Sequence, residues 1–274
     1  MNGKEKTGAV LLVLSLLCGS AVNVAIGDEE DIKRIVSEHE ASQKKNLLGI
    51  MEANKDAVVM VEIAIKLSGA FRGRQMPPQE RKFRLNGTVI SKEGLVVISN
   101  SSADPMATLG HLKNNPEANL NAEVLKSKIV LNEGTEISAK VVLKDQDLDL
   151  AFVMPSEKQE KEFVHVKLDP TVPPDLLDVV CSVSRMDLTA NRTPLIQIGR
   201  ISGIIKKPRT YYVGPALGAG QAAFNTDGKC FGLFLRRQGN DGPTGSPVIL
   251  PAEEVLEAAK PLLKKKEEEP EKDK

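Results

Sequence analysis

The spacing of apolar residues changes near position 57. From Asp28 to Asn54, Ile32, Ile35, Val36, Leu47, Leu48, Ile50 and Met51 recur at helical intervals, and Asp28 is placed to cap the start. From Val58 to Ile65 the pattern is that of a strand, followed by a polar loop through Arg72, Gly73, Pro77 and Pro78. Phe83–Ser91, the turn Lys92-Glu93-Gly94 and Leu95–Ser99 read as a hairpin. Asp104–Asn121 reads as loop, and strands are expected at Lys126–Leu131, Glu136–Leu143, Leu148–Val153 and Val164–Leu168. Pro170, Pro173 and Pro174 mark a seam. A second series follows at Asp178–Ser184, Leu195–Ile205, Gln221–Asn225, Lys229–Leu235 and Pro247–Leu250, with a turn at Asn225-Thr226-Asp227-Gly228. Pro251 then opens a helix whose apolar face is Val255, Leu256, Ala259, Leu262 and Leu263. Short, regularly spaced strands predict an all-β fold of two six-stranded antiparallel β-barrels, residues 55–168 and 175–250. A helical segment (28–54) precedes them and a closing helix (251–263) follows.

The first residues read as an address. Lys4 and Lys6 precede an apolar run from Ala9 to Leu17, then Gly19, Ser20 and Ala21, the layout of a secretory signal peptide over residues 1–27. Cleavage after Ala21 or Gly27 fits, and the run is too short to span a bilayer. An uncleaved anchor is the alternative. Leu17 before Cys18 argues against a lipidation signal. The expected destination is periplasmic or extracellular, with no membrane span in the mature chain. Residues 264–274, with five positive and five negative charges, read as a disordered charged tail.

Composition narrows the function. Among 274 residues, 37 Lys and Arg balance 37 Asp and Glu, so the charge excess that phosphate-tracking proteins need is missing. Aromatic residues make up 3%, without Trp, which leaves little for base stacking. Nucleic acid is therefore not an expected partner. Cys181 and Cys230 remain in the mature chain, and a disulfide between them and two buried free thiols are equally open. Neither has a CxxC partner or a nearby His/Cys cluster, so no zinc site is expected.

Three segments, in order, resemble a trypsin-like serine peptidase of the HtrA/Deg type. Gly87-Thr88-Val89-Ile90-Ser91-Lys92-Glu93-Gly94-Leu95-Val96-Val97-Ile98-Ser99-Asn100 resembles the hairpin that delivers the family's catalytic His. Glu133 to Lys140-Val141-Val142, continuing to Asp147-Leu148-Asp149-Leu150-Ala151, is similar to the stretch whose last Asp orients that His. Leu217-Gly218-Ala219-Gly220-Gln221, running on to Asn225-Thr226-Asp227-Gly228 and Gly232, resembles the segment that carries the nucleophile. Ile198 to Ile205 resembles the strand between them. The likeness spans Val58 to Leu263, and no PDZ-like domain is expected after the closing helix.

The resemblance implies three roles: a hydroxyl nucleophile, an imidazole base and an orienting carboxylate. Asp149 matches the carboxylate. The His position falls on Ser101, with Ser102 beside it, and a serine hydroxyl is no base near neutral pH. The nucleophile position falls on Ala219. Leu217 and Gln221 replace glycines that help shape the oxyanion hole. Whether the chain is an enzyme stays open, with both substitutions pointing away from catalysis. Of the three histidines, His39 and His165 read as structural or solvated, and His111 lies about ten residues past the expected position. Ser246 lacks the setting of a nucleophile elbow. Asp145, Asp147 and Asp149 lack the Gly and distal Glu of a calcium loop, so no metal or other cofactor is expected.

The expected function is that of an exported, inactive peptidase homologue binding a peptide or protein. Candidate binding residues are Tyr211, Tyr212, Leu217 and Gly218, with the Arg-, Gln- and Pro-rich loop Gly69–Glu80 a second surface. The alternatives are an active serine hydrolase using displaced residues and a structural envelope protein. Partner identity and oligomeric state are not legible in the sequence.

Overall fold

The computed structural model describes residues 29–103, 118–239 and 242–264. The expected signal peptide, His111 and the tail beyond Lys264 lie outside the described residues. By its contacts the chain divides after Lys45. The first part holds most of α1 (Glu29–Asn54), a polar helix on which Ile35 and Val36 are exposed and Arg34 pairs with Asp31 at 2.9 Å. Among the described residues no helix is long and apolar enough to cross a membrane.

The second part begins with the end of α1. Six strands then close a barrel in the order β1-β2-β3-β6-β5-β4. They are β1 (Val58–Phe71), β2 (Arg74–Val89), β3 (Val96–Ser99), β4 (Ala118–Val130), β5 (Glu136–Asp145) and β6 (Leu150–Pro155). The one-turn α2 (Asn100–Ala103) follows β3. A seven-stranded sheet follows, comprising β7 (Val179–Arg185), β8 (Pro194–Arg200), β9 (Gly203–Ile205), β10 (Tyr211–Val213), β11 (Gln221–Phe224), β12 (Cys230–Gly239) and β13 (Gly242–Pro251). Its order is β8-β7-β11-β12-β13-β10-β9, so its edge strands follow each other in the chain, separated by Ile201 and Ser202. The fold is thus all-β, as expected, with one closed barrel and one curled half-barrel.

Alternation sorts the apolar side chains into separate cores. Val59, Val61, Ile63 and Ile65 of β1 fill the closed barrel with Val96, Ile98 and Val153. Their out-of-phase neighbours Val97, Leu150 and Phe152 instead join Cys181, Phe224, Leu233 and Val248 of the second sheet. This shared core extends to α3 (Ala252–Lys264), which buries Ala252, Val255 and Ala259 against it. A one-residue slip in β3 would exchange the two sets, so burial at roughly 1.5–3 kcal/mol per large aliphatic side chain fixes the register.

Polar contacts join the sheets as well. Arg185, at the end of β7, is buried and donates to Val58 O at 3.3 Å, to Arg192 O at 2.8 Å, and to Lys55 O and Asn132 Oδ1. Burial pulls its pKa down, with Asp56 opposing. Asn86 Nδ2 donates to Arg185 O at 3.1 Å, and Thr88 Oγ1 to Gly220 O at 2.8 Å.

Several expectations need correction: β4 already begins at Ala118, inside the expected loop Asp104–Asn121, and Ile201-Ser202 break the expected strand Leu195–Ile205. The polar loop through Arg72, Gly73, Pro77 and Pro78 is strand: β1 and β2 stay paired out to Phe71↔Arg74, leaving Arg72-Gly73 as a two-residue turn with φ of 51° and 72°. Edge position lets β2 accommodate its prolines. Val164–Leu168 is not a strand, its contacts being Val166 N–H to Val89 O at 2.8 Å and a single bridge from Leu168 to Cys230.

Candidate functional site

β3 ends at Ser99, and α2 immediately turns Ser101 and Ser102 back over it. Beside it, the turn before the adjacent β6 carries Asp149, whose φ of 57° is tolerated by Asp better than by most residues. Asp145 Oδ1 braces that turn by accepting Leu148 N–H at 2.9 Å, and Asp149 O accepts Asn100 N–H at 2.9 Å. The Asp149 side chain is buried. Its Oδ1 accepts Ser101 N–H at 2.6 Å, while its Oδ2 accepts Ser99 Oγ–H at 2.8 Å and Arg236 N–H at 2.9 Å. Ser99 Oγ in turn accepts Ser102 N–H at 3.2 Å and lies 3.2 Å from Ser101 Oγ. The carboxylate therefore has three donors, two of them backbone amides, and no imidazole among them.

The corner Ala219-Gly220 comes against the same place. Gly220 has φ of 87°, and a Cβ there would stand 2.8 Å from Asn86 O and 3.4 Å from Ser99 N. Gly220 N–H donates to Phe234 O at 2.7 Å, which seats the corner on β12. Thus the fold gathers Ser101, Asp149 and the Ala219–Gly220 corner at the junction of the two sheets. Ser101 carries no imidazole base and Ala219 no nucleophilic oxygen.

The amide of Leu217 beside this corner is already engaged. Leu217 N–H is turned inward, donating to Pro215 O at 2.8 Å, and the Leu217 side chain packs into the second sheet. The Gln221 carboxamide lies where a side chain on Gly218 would go, and its Oε1 accepts from Ser182 Oγ at 3.3 Å. Gly218 itself is exposed.

Tyr211 and Tyr212, expected as ligand anchors, are both interior at 4% and 7% exposure, so the rings form walls rather than a contact surface. The Arg237 guanidinium lies 5.5 Å from the Tyr211 centroid, and Tyr212 packs edge-on to Phe231 at 6.0 Å. Burial pushes both phenols up. Cys181 and Cys230 are free buried thiols. Each pairs with Phe224 from opposite sides of β11, two strand spacings or roughly 10 Å apart, which is too far for a disulfide. That resolves the open pairing in favour of thiols, which burial pushes up to about 11 and about 12.

Among the described histidines, His165 is exposed with Nδ1 3.2 Å from Phe163 O, and His39 lies on α1 beside Gln43 at 3.0 Å. Ser246 is exposed on β13 opposite Arg237. Among the described residues no group of three or more His, Cys, Asp or Glu is arranged to hold a metal. Two grooves among the described residues, of about 770 and 780 Å³, flank the segment Ser156–Val164, and Asp149 lines neither.

Sequence reasoning passed over Arg236 and Arg185. Arg185 carries a readable signal, because a charged residue ending the run Val179-Val180-Cys181-Ser182-Val183 is one a buried strand has to satisfy. Compared with known proteins, the chain matches no family model and none of the curated proteins.

Proposed function

We propose that the chain is an exported, catalytically inactive homologue of trypsin-like serine peptidases of the HtrA/Deg type, working as a peptide- or protein-binding module. The observation that carries this reading is the occupancy of the Asp149 carboxylate. Ser101 N–H, Ser99 Oγ–H and Arg236 N–H take the place an orienting carboxylate would give to an imidazole. Binding has a physical basis beside it. β13 pairs with β12 as far as Gly239, but β11 covers the other edge only from Cys230 to Phe234. Beyond Phe234, among the described residues, that edge uses one donor, Arg236 N–H to Asp149. An extended peptide can add there as a strand through the remaining main-chain groups. Hydrolysis with Ser246 as a displaced nucleophile lacks support, since its strand partner is Arg237 and the exposed His165 ring is engaged with Phe163 O.

Two measurements test this. A fluorophosphonate probe and a casein assay are expected to give no labelling and no cleavage, and a labelled serine overturns the inactive reading. Hydrogen exchange with and without extended peptides is expected to protect the Gln238 amide, which alternation places on the same edge as Phe234 O and Arg236 N. Protection confined to other segments would rule out this edge as the binding strand.

A further inference from the structure

The seven-stranded sheet has two edges, and the sequence treats them differently. β9 is three residues long and runs straight into Lys206-Lys207-Pro208, so short length, charge and a proline guard it. β8 has a proline only at its first residue. It pairs with β7 over seven residues without a register shift, from Val179↔Arg200 to Arg185↔Pro194, and carries no charged side chain before Arg200. The two ends of that pairing fix where its main-chain groups point. Met186 N–H donates to Thr193 O at 3.0 Å and Ile201 N–H to Asp178 O at 2.9 Å. Alternation therefore turns Leu195, Gln197 and Gly199 towards β7, and the amides and carbonyls of Ile196, Ile198 and Arg200 outwards. Among the described residues no strand pairs with that outer side, and the open stretch ends at Ser202, whose N–H goes to Val213 O at 2.7 Å. The Ile198 side chain, opposite buried Cys181, is 52% exposed, so the shared core ends in solvent there.

The two ends of β8 also complement each other. Exposed Leu177 stands at the Arg200 end, its N–H on Ile201 O and its carbonyl accepting Arg200 Nη1–H at 2.7 Å, and exposed Leu188 stands in the hairpin at the other. Asp175 and Asp178 give the first end an acidic surplus over Arg200. Arg192 lies at the second, where Asp187 is already engaged with the amide and hydroxyl of Thr189.

We propose that β8 is the strand through which two copies of this chain pair, antiparallel about a two-fold axis at Gln197. That register sets Ile196 of each copy against Ile198 of the other, forms about six main-chain hydrogen bonds, and joins the two sheets into one. The axis brings the Leu177 end of one copy to the Leu188 end of the other, and Asp175 and Asp178 towards Arg192. A second copy suits this edge better than an unrelated strand because each end supplies what the other lacks. This inference is independent of the peptide-binding reading, which concerns β12.

The test is analytical ultracentrifugation of the full chain over a concentration series, with hydrogen exchange at both ends of the series. A monomer–dimer equilibrium is expected, with the Ile196 and Ile198 amides protected only in the dimer. Ile198→Lys should raise the dissociation constant at least about tenfold, since lysine on an edge strand opposes such pairing. Arg192→Glu should weaken the dimer in low salt, and Asp175→Lys in that background should recover the loss. Ile198 is half exposed, so an unchanged melting transition at a monomeric concentration serves as the folding control. A monomer throughout the series overturns the proposal. So does a dimer undiminished by Ile198→Lys, which would place the contact on another surface. Protection of the two amides at every dilution overturns it in favour of cover by another segment of the same chain.

Discussion

Asp149 and Arg236 meet across the junction of the two sheets, the carboxylate Oδ2 accepting the arginine's main-chain N–H at 2.9 Å. The contact ties the turn before β6 to the open edge of β12, with the same carboxylate holding the start of α2 through Ser101. The carboxylate works as a hub for backbone donors. A buried carboxylate is tolerable when its lone pairs are filled by such donors.

Asp149→Ala would orphan the amides of Ser101 and Arg236 and the hydroxyl of Ser99, and would place Ala at positive φ. Chemical denaturation should show a loss of about 3–5 kcal/mol. Asn tolerates that φ and keeps one acceptor oxygen, so Asp149→Asn should lose clearly less. Equal losses would show that the carboxylate's second oxygen contributes nothing.

Gly220 and Gly228 both have positive φ, 87° and 78°, but differ in space. A Cβ on Gly220 meets the main chain at Asn86 O, whereas on Gly228 it meets Ile50 Cγ1 at 3.3 Å. Gly228→Ala should cost about 1 kcal/mol, and Gly220→Ala several times more as the sheets are pushed apart. Comparable melting temperatures for the two variants would contradict this packing of the corner.

Cys181 and Cys230 give a pH dependence of known sign. Burial holds both thiols protonated, with pKa pushed up to about 11 and about 12 against an ordinary 9.0. Above 9.0 the unfolded chain releases protons that the folded chain retains, so stability is fully present below that value and falls as pH rises through 11 and 12. Tyr211 and Tyr212, also raised by burial, add to the fall only above 10.0. Urea midpoints should therefore begin to drop between 9.0 and 10.0 in the native protein and stay flatter over that interval in a Cys181→Ala, Cys230→Ala variant. Alkylation at neutral pH should be slow until urea is added.

On the proposed reading, Ser101→His and Ala219→Ser would supply an imidazole and a hydroxyl but leave Leu217 N–H bonded to Pro215 O. Fluorophosphonate labelling of this double variant should remain at least about a hundredfold slower than that of a triple variant that also contains Leu217→Gly. Equal rates would remove Leu217 from the explanation.

Much of this was legible because alternation and turn chemistry are local. Gly94, with φ of 87°, marks the β2–β3 turn, and Asn225 Oδ1 caps the turn before β12 by accepting Asp227 and Lys229 amides. The continuation of β1 and β2 to Phe71↔Arg74 was not legible, because Pro77 and Pro78 signal a break unless the strand is known to lie at an edge. Tyr211 and Tyr212 misled for a related reason. Strand alternation sends the rings to opposite faces, and both faces of β10 are covered, one by the core shared with the barrel and the other by the interior of the second sheet. The convergence of Asp149 with Arg236 joins residues 87 positions apart, and no local pattern encodes it.

Arg185 gives the molecule an indivisible character. Its guanidinium belongs to the C-terminal half, while Lys55, Val58 and Asn132, which receive it, belong to the N-terminal half. Severing the chain between Pro155 and Val179 would strand a cation in one fragment and bare carbonyls in the other. Each piece expressed alone should be insoluble or molten, and the two should regain order only when mixed.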